Sequence, residues 1–342
     1  MKRIVLLICV VLLAACSSLR KQGGGHKADN QTDYNQQEVL ESSANAKSGA
    51  KFGRKFTDSL RMSGLVNYLA SDVMKGRATG SPEIELAANF IEKTLEQNRI
   101  KPFYPGFRDT LENTKKVAYN IVGIIPGVDP ILRDEYILIG AHYDHIGIVN
   151  RVNGDAIANG ANDNASGTAS LLELSRYFGR KKKNKRSLIF AFFSAEEQGL
   201  LGSRHLAQKL KEEGVNLYLM LNFEMTGVPM YKKDYLLYIT GYDKSNLAEE
   251  ANILAGENLI GYLPTEKQYN LFQRSDNYPF HRIYQIPSHT FCTFDFNNYP
   301  YYHKASDEPD KLAYAHMAEV VNYIIPVIEG LVNSTDQIVK LK

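Results

Sequence analysis

The side chains of this sequence that suit metal or acid–base chemistry fall in short clusters. His142 and Asp144 lie in Ala141-His142-Tyr143-Asp144-His145, and Asp163 lies in the glycine-flanked run Gly160-Ala161-Asn162-Asp163-Asn164-Ala165-Ser166-Gly167. Glu196 and Glu197 follow Ser194-Ala195, Glu224 follows Asn222-Phe223, and His303 sits in Tyr301-Tyr302-His303-Lys304. Each alone has an ordinary explanation. An Asp before a helix is most often an N-cap. A Glu-Glu pair suits a first helical turn through the macrodipole, and an isolated histidine is more often structural than a ligand. Together they offer imidazole nitrogens and carboxylate oxygens, the mixture that suits Zn²⁺. So many carboxylates gathered at one place without a cation would be costly.

A parallel sheet can gather them. Apolar runs bounded by Gly, Pro or charge predict strands at residues 119–125, 136–141, 187–193, 217–223, 235–240 and 288–294. Helical spacing predicts helices at 59–70, 82–97, 165–178, 198–213, 247–255 and 312–332, the second opened by Ser81-Pro82 as N-cap and N1. Strands that are apolar throughout, interleaved with helices, indicate a mixed, mostly parallel central sheet covered on both faces, an α/β fold. His142, Glu196, Glu197 and Glu224 then fall just past strand carboxyl ends, where open α/β sheets place their ligand sites.

Composition narrows the class. The chain has 342 residues, 44% hydrophobic and 23% charged, which excludes a wholly disordered chain and a polytopic membrane protein. Lys+Arg 40 against Asp+Glu 38 leaves a net charge of +2, which argues against a nucleic-acid binder. Three cysteines, Cys9, Cys16 and Cys292, are too few for a disulfide framework or a cysteine zinc site. The basic run at 180–186 reads as a solvated turn between helix and strand.

The N-terminus reads as an address. Lys2 and Arg3 precede an apolar run from Ile4 to Leu13, far short of the ~20 residues that span a bilayer. Leu13-Ala14-Ala15-Cys16 resembles the bacterial lipobox, which implies removal of residues 1–15 and lipidation of Cys16. Residues 16–55 are poor in large apolar side chains and read as a tether, leaving 56–342 as one catalytic domain. Two lipid chains make a durable anchor, so the expected place is the cell envelope, facing the periplasm.

The blocks AHYDH, GANDNASG, FFSAEEQGLLGS, NFEMTG, RSDNYPF and YYHKASDEPDKL resemble, in order and approximate spacing, metallopeptidase family 28. That family holds the co-catalytic zinc aminopeptidases and the glutaminyl cyclases. The resemblance covers about residues 60–335. It implies a single-domain zinc-exopeptidase-like fold with two zinc ions, one being enough for a cyclase. It implies that Asp163 bridges them, that His142 and Glu224 complete one site, and that Glu197 and His303 complete the other. Glu196 would be the general base and Tyr302 an oxyanion donor. Asp144 would orient the His142 imidazole, and Asp276 would support the site from the Ser-Asp-His block. The Asp163–Asn164 peptide bond would be cis. In two places the chain departs from the family's better-known aminopeptidases: Glu224 stands for Asp, and Asn277 for the histidine of that block.

Chemistry of this kind uses two metal ions to polarise the scissile carbonyl and activate water, with Glu196 moving the proton. Glu196 and Glu224 are the candidates for holding the substrate's free amino group. The expected activity is therefore a zinc aminopeptidase acting on peptides with a free N-terminus, working as a monomer. A glutaminyl cyclase is the alternative. The family's cyclases carry tryptophans in the glutamine pocket; this chain has none, and Tyr302 stands beside the last histidine. A lipid-anchored binding protein with a degenerate site is the third reading.

Overall fold

A computed structural model of the chain describes residues 56–342. The expected signal segment, Cys16 and tether lie outside them. The elements are α1 (Ser59–Leu69), α2 (Ile84–Gln97), β1 (Lys101–Pro102), β2 (Arg108–Thr110), β3 (Tyr119–Ile125), β4 (Tyr136–His142), β5 (Gly147–Val152), β6 (Asp155–Ala158), α3 (Gly167–Lys181) and β7 (Ser187–Phe193). They continue with α4 (Leu201–Glu212), β8 (Leu217–Glu224), β9 (Leu237–Ile239), α5 (Leu247–Ala255), β10 (Ile260–Gly261), α6 (Pro264–Gln268), α7 (Asn277–Tyr284), β11 (Ser288–Cys292) and α8 (Tyr314–Asn333).

Alternation along β7 shows how the core is split. Leu188, Phe190 and Phe192 pack with α1, α2, α3, α5 and α8 on one face of the sheet. Ile189, Ala191 and Phe193 pack with α4 and α7 on the other. All seven residues are buried, which is why the strand reads as one unbroken apolar run. The nine-stranded sheet runs β1-β3-β7-β4-β8-β11-β9-β10, with β2 paired to β3. Strands β7, β4, β8 and β11 are parallel, while β3 and β9 join them antiparallel. The sheet is mixed and mostly parallel at its centre, as expected.

Differences from the sequence reading have local causes. The helix expected from residue 82 starts at Ile84, although the Ser81 hydroxyl still accepts a hydrogen bond from the Ile84 N–H, 3.3 Å away. The helix expected from 198 starts at Leu201, because Gly199 and Leu200 take left-handed conformations with φ of 93° and 61°. The hairpin β5–β6 was not predicted. Its tip, Asn153-Gly154, supplies two consecutive positive φ values, 52° and 94°, as a tight hairpin turn requires. The basic turn is only partly solvated. Arg180 to Lys183 are exposed, but Asn184 and Arg186 are buried, and Arg186 pairs with Glu135 and donates to the Ser334 carbonyl.

Candidate metal centre

Parallel pairing sets the first part of the site. His142 ends β4 opposite Phe193 at the end of β7, and the turn after β7 carries Glu196 and Glu197. Gly140 pairs with Asn222, and two residues further that register brings His142 level with Glu224 at the end of β8. His142, Glu196 and Glu224 accordingly converge as one group of possible donors.

Asp163 is placed differently. Residues Ala161–Ser166 form an irregular turn before α3 in which Asp163 and Asn164 leave helical geometry, and the bond between them is cis. Asp307 grips this turn. Its carboxylate accepts from the Asn162 N–H at 2.8 Å, the Asp163 N–H at 3.1 Å and the Tyr299 hydroxyl at 2.6 Å. The Asn164 side chain ties the turn to β8, donating to the Phe223 carbonyl at 3.0 Å and accepting from the Met225 N–H at 3.1 Å.

The result is a centre with two lobes sharing Asp163. On one side, Asp163 Oδ1 lies 3.3 Å from His142 Nε2. On the other, Asp163 Oδ2 lies 3.2 Å from His303 Nε2, which is 3.0 Å from Glu197 Oε2. Two donors bound at 2.0–2.1 Å to one tetrahedral zinc are separated by about 3.3 Å, so these spacings fit zinc. His142 Nε2 is buried with no hydrogen-bond partner among the described residues, again as a metal ligand would be. The residues present therefore fit the ion.

Charge follows the same division. Burial opposes ionisation of Asp163, yet His142 and His303 hold its carboxyl well below the usual range. Burial would lower His303, but Asp163 and Glu197 outweigh it and push the imidazole up to about 10. Burial and the neighbouring carboxylates Glu224, Asp276 and Glu197 raise Glu196 well above an ordinary carboxyl. Burial likewise raises Glu224 to about 7. Adjacent Glu196 and Glu197 thus differ: burial raises the first, while His145 and His303 lower the second against its own burial.

The supporting residues are only partly those expected. Asp144 faces His142 Nδ1 with its carbonyl oxygen at 3.2 Å, nearer than its carboxylate at 3.6 Å. The Asp144 carboxylate instead accepts from the Glu196 N–H at 3.2 Å and the Thr79 hydroxyl at 2.8 Å, so it pins the Glu196 backbone. Asp276 is fully buried at the start of α7, and burial raises its carboxyl to about 7. Tyr302 stacks on His303 with ring centroids 4.0 Å apart, and burial beside Asp163, Glu224 and Glu197 keeps its phenol protonated. A cavity of about 40 Å³ opens between Glu224 and Tyr302, lined by Tyr238, Phe294 and Phe296 and also by Arg274, Ser275 and Thr290.

Sequence reasoning passed over His145, Thr79, Ser275 and Asp307. The Ser275 hydroxyl donates to Glu224 and is held in turn by Asn222 at 2.8 Å and Thr290 at 3.1 Å. Asn277, where the family's histidine would stand, accepts from the Thr290 hydroxyl at 2.8 Å and belongs to that same support. Two of them left a signal: His145 is a further ligand-type residue three positions after His142, and Asp307 stands four positions after His303.

Comparison with known proteins matches residues 120–328 to the model of peptidase family M28. A probable zinc metalloprotease of Pyrenophora tritici-repentis is 34% identical over 172 residues, 48% of this chain and 38% of that protein. Aminopeptidase YwaD of Bacillus subtilis is 30% identical over 206 residues, 58% of this chain and 42% of that protein. The chain thus spans well under two thirds of the length of these curated relatives. Among solved structures, the LapA aminopeptidase of Legionella pneumophila superposes with a TM-score of 0.65 at 19% identity, covering 92% of this chain and 79% of that one. A glutaminyl cyclase of Porphyromonas gingivalis gives 0.61 at 17% identity, covering 80% and 99%. At these identities the likeness is one of fold.

Proposed function

The chain belongs to peptidase family M28, and on that ground we propose that it is a zinc-dependent aminopeptidase. The observation that carries the reading is the arrangement about Asp163: a histidine on each of its two oxygens, with Glu196 close to His142 and Glu224. His142, Asp163 and Glu224 would hold one zinc, and Asp163, Glu197 and His303 the other. Bound there, zinc supplies Lewis-acid polarisation of the scissile carbonyl and a more acidic water.

The chain's own residues do the rest. Glu196, with its backbone fixed by Asp144 and its carboxyl raised above the ordinary range by burial, takes the proton of the attacking water and returns it to the leaving amine. Tyr302, protonated and held flat on His303, donates to the oxygen on which negative charge develops. The substrate's ammonium group would face Glu224, leaving Glu196 free for proton transfer.

Incubation with peptides that begin in Leu or Gln tests this. Free leucine and free glutamine are expected; a pyroglutamyl peptide without amino-acid release would establish a cyclase instead. The lipobox-like Leu13-Ala14-Ala15-Cys16 supports a lipid-anchored enzyme of the envelope. Cys16→Ser should then move activity from the membrane fraction to the soluble one, and unchanged fractionation counts against the anchor.

A further inference from the structure

His145 is nearly fully buried, and the reading above gives it no task. It follows β4 with its N–H bonded to the Arg77 carbonyl at 3.2 Å, and its ring lies beside Gly160. A Cβ on Gly160 would fall 2.5 Å from His145 Cγ, so the glycine makes room for this imidazole. Neither ring nitrogen has a well-formed hydrogen bond among the described residues. Nδ1 lies 2.9 Å from Glu197 Oε1 and 3.9 Å from Asp163 Oδ2.

The two oxygens of Glu197 therefore face different ways. Oε2 shares a side with His303 Nε2 and Asp163 Oδ2, the donors that would surround one metal. Oε1 is turned to His145 and has no other partner among the described residues. A buried carboxylate oxygen left unpaired is costly, and an imidazole N–H is the donor within reach. Carboxylates that ligate metals are commonly held by such an outer donor. A catalytic zinc also needs an open position, which a carboxylate bound through both oxygens would consume.

We infer that His145 is a positioning residue: its Nδ1–H holds Oε1 of Glu197, so the carboxylate meets the metal through Oε2 alone. This rests on the two-zinc reading above. It differs from a sixth-ligand role, in which His145 would itself bind the ion.

The test uses the full chain loaded with zinc and compares wild type, His145→Ala and His145→Gln, whose amide can still donate. Zinc affinity is measured by competition with a chelating dye, and the number of imidazoles on zinc by X-ray absorption. His145→Ala should weaken one of the two zinc sites about 10–100-fold and leave the imidazole count unchanged, with kcat returning at saturating zinc. His145→Gln should regain part of the lost affinity. Unchanged affinity in His145→Ala, or loss of one imidazole per chain, overturns the inference. A wild-type chain that binds no zinc would sink the two-zinc reading first and this inference with it.

Discussion

His303 and His289 sit in one fold in opposite circumstances. His303 touches two carboxylates that push its imidazole up to about 10. His289, on β11 within the core, has Nδ1 2.8 Å from the Thr240 carbonyl and Nε2 2.7 Å from the Ser245 hydroxyl, and burial pushes it down to about 4. His316 on α8 is likewise held near 4 by burial. His142 resembles His303, buried among Glu196, Asp144 and Asp163 and raised well above its ordinary value. Residue type does not separate the two groups; their surroundings do. In the core, a neutral histidine satisfied by uncharged partners serves packing. At the carboxyl edge of the sheet, histidines face carboxylates across the distances a zinc ion would bridge, and binding the ion would displace their protons.

If that division holds, changes at the edge should alter metal and rate, and changes in the core should alter stability. The largest effect is expected from Asp163→Ala, which removes a donor from both lobes. Zinc analysis after dialysis should find the variant depleted of both ions; two retained equivalents would show that Asp163 does not bridge. Glu196→Gln comes next. It should keep its zinc and lose ~10²–10⁴-fold in kcat, and a variant keeping more than half of wild-type turnover would remove Glu196 from the base role.

The core histidine predicts a smaller, different signature. Unfolded histidine titrates near 6.5, whereas folded His289 accepts a proton only near pH 4. Between those values the unfolded state binds the extra proton, so stability falls as pH drops from ~6.5 to ~4 and this group adds no further loss below. The full difference is about 3 kcal/mol. Denaturant midpoints at pH 7 and 4.5 should converge in His289→Gln relative to wild type. An equal pH slope in both proteins would mean that His289 is not the neutral core group described.

The same division explains what could be read from sequence. Residues 119–125, 187–193 and 247–255 were legible to their ends, because unbroken apolar runs or helical spacing stop at Gly, Pro or charge. The clusters at 142–144, 196–197 and 224 stood out because ligand-type residues follow such runs, whereas 163 and 303 lie in loops and stood out through the family resemblance. The supports were not. Asp307 reaches Asn162 and Asp163 across about 145 residues, and Thr79 reaches Asp144 across 65, distances over which no local pattern carries information. Small hydroxyl residues such as Ser275 look alike whether they hold a ligand or face water. His145 lay in view beside His142, but only the approach of Glu197 from the next strand's turn gives it a partner.

Hydrolysis during zinc titration of the metal-stripped chain decides whether the edge cluster is a catalytic centre. With a peptide bearing an apolar N-terminal residue, the stripped protein should be inactive, and amino-acid release should appear with added zinc and level off at two equivalents. Undiminished release by the zinc-free protein, or a fully zinc-loaded protein that releases no amino acid, would contradict the account.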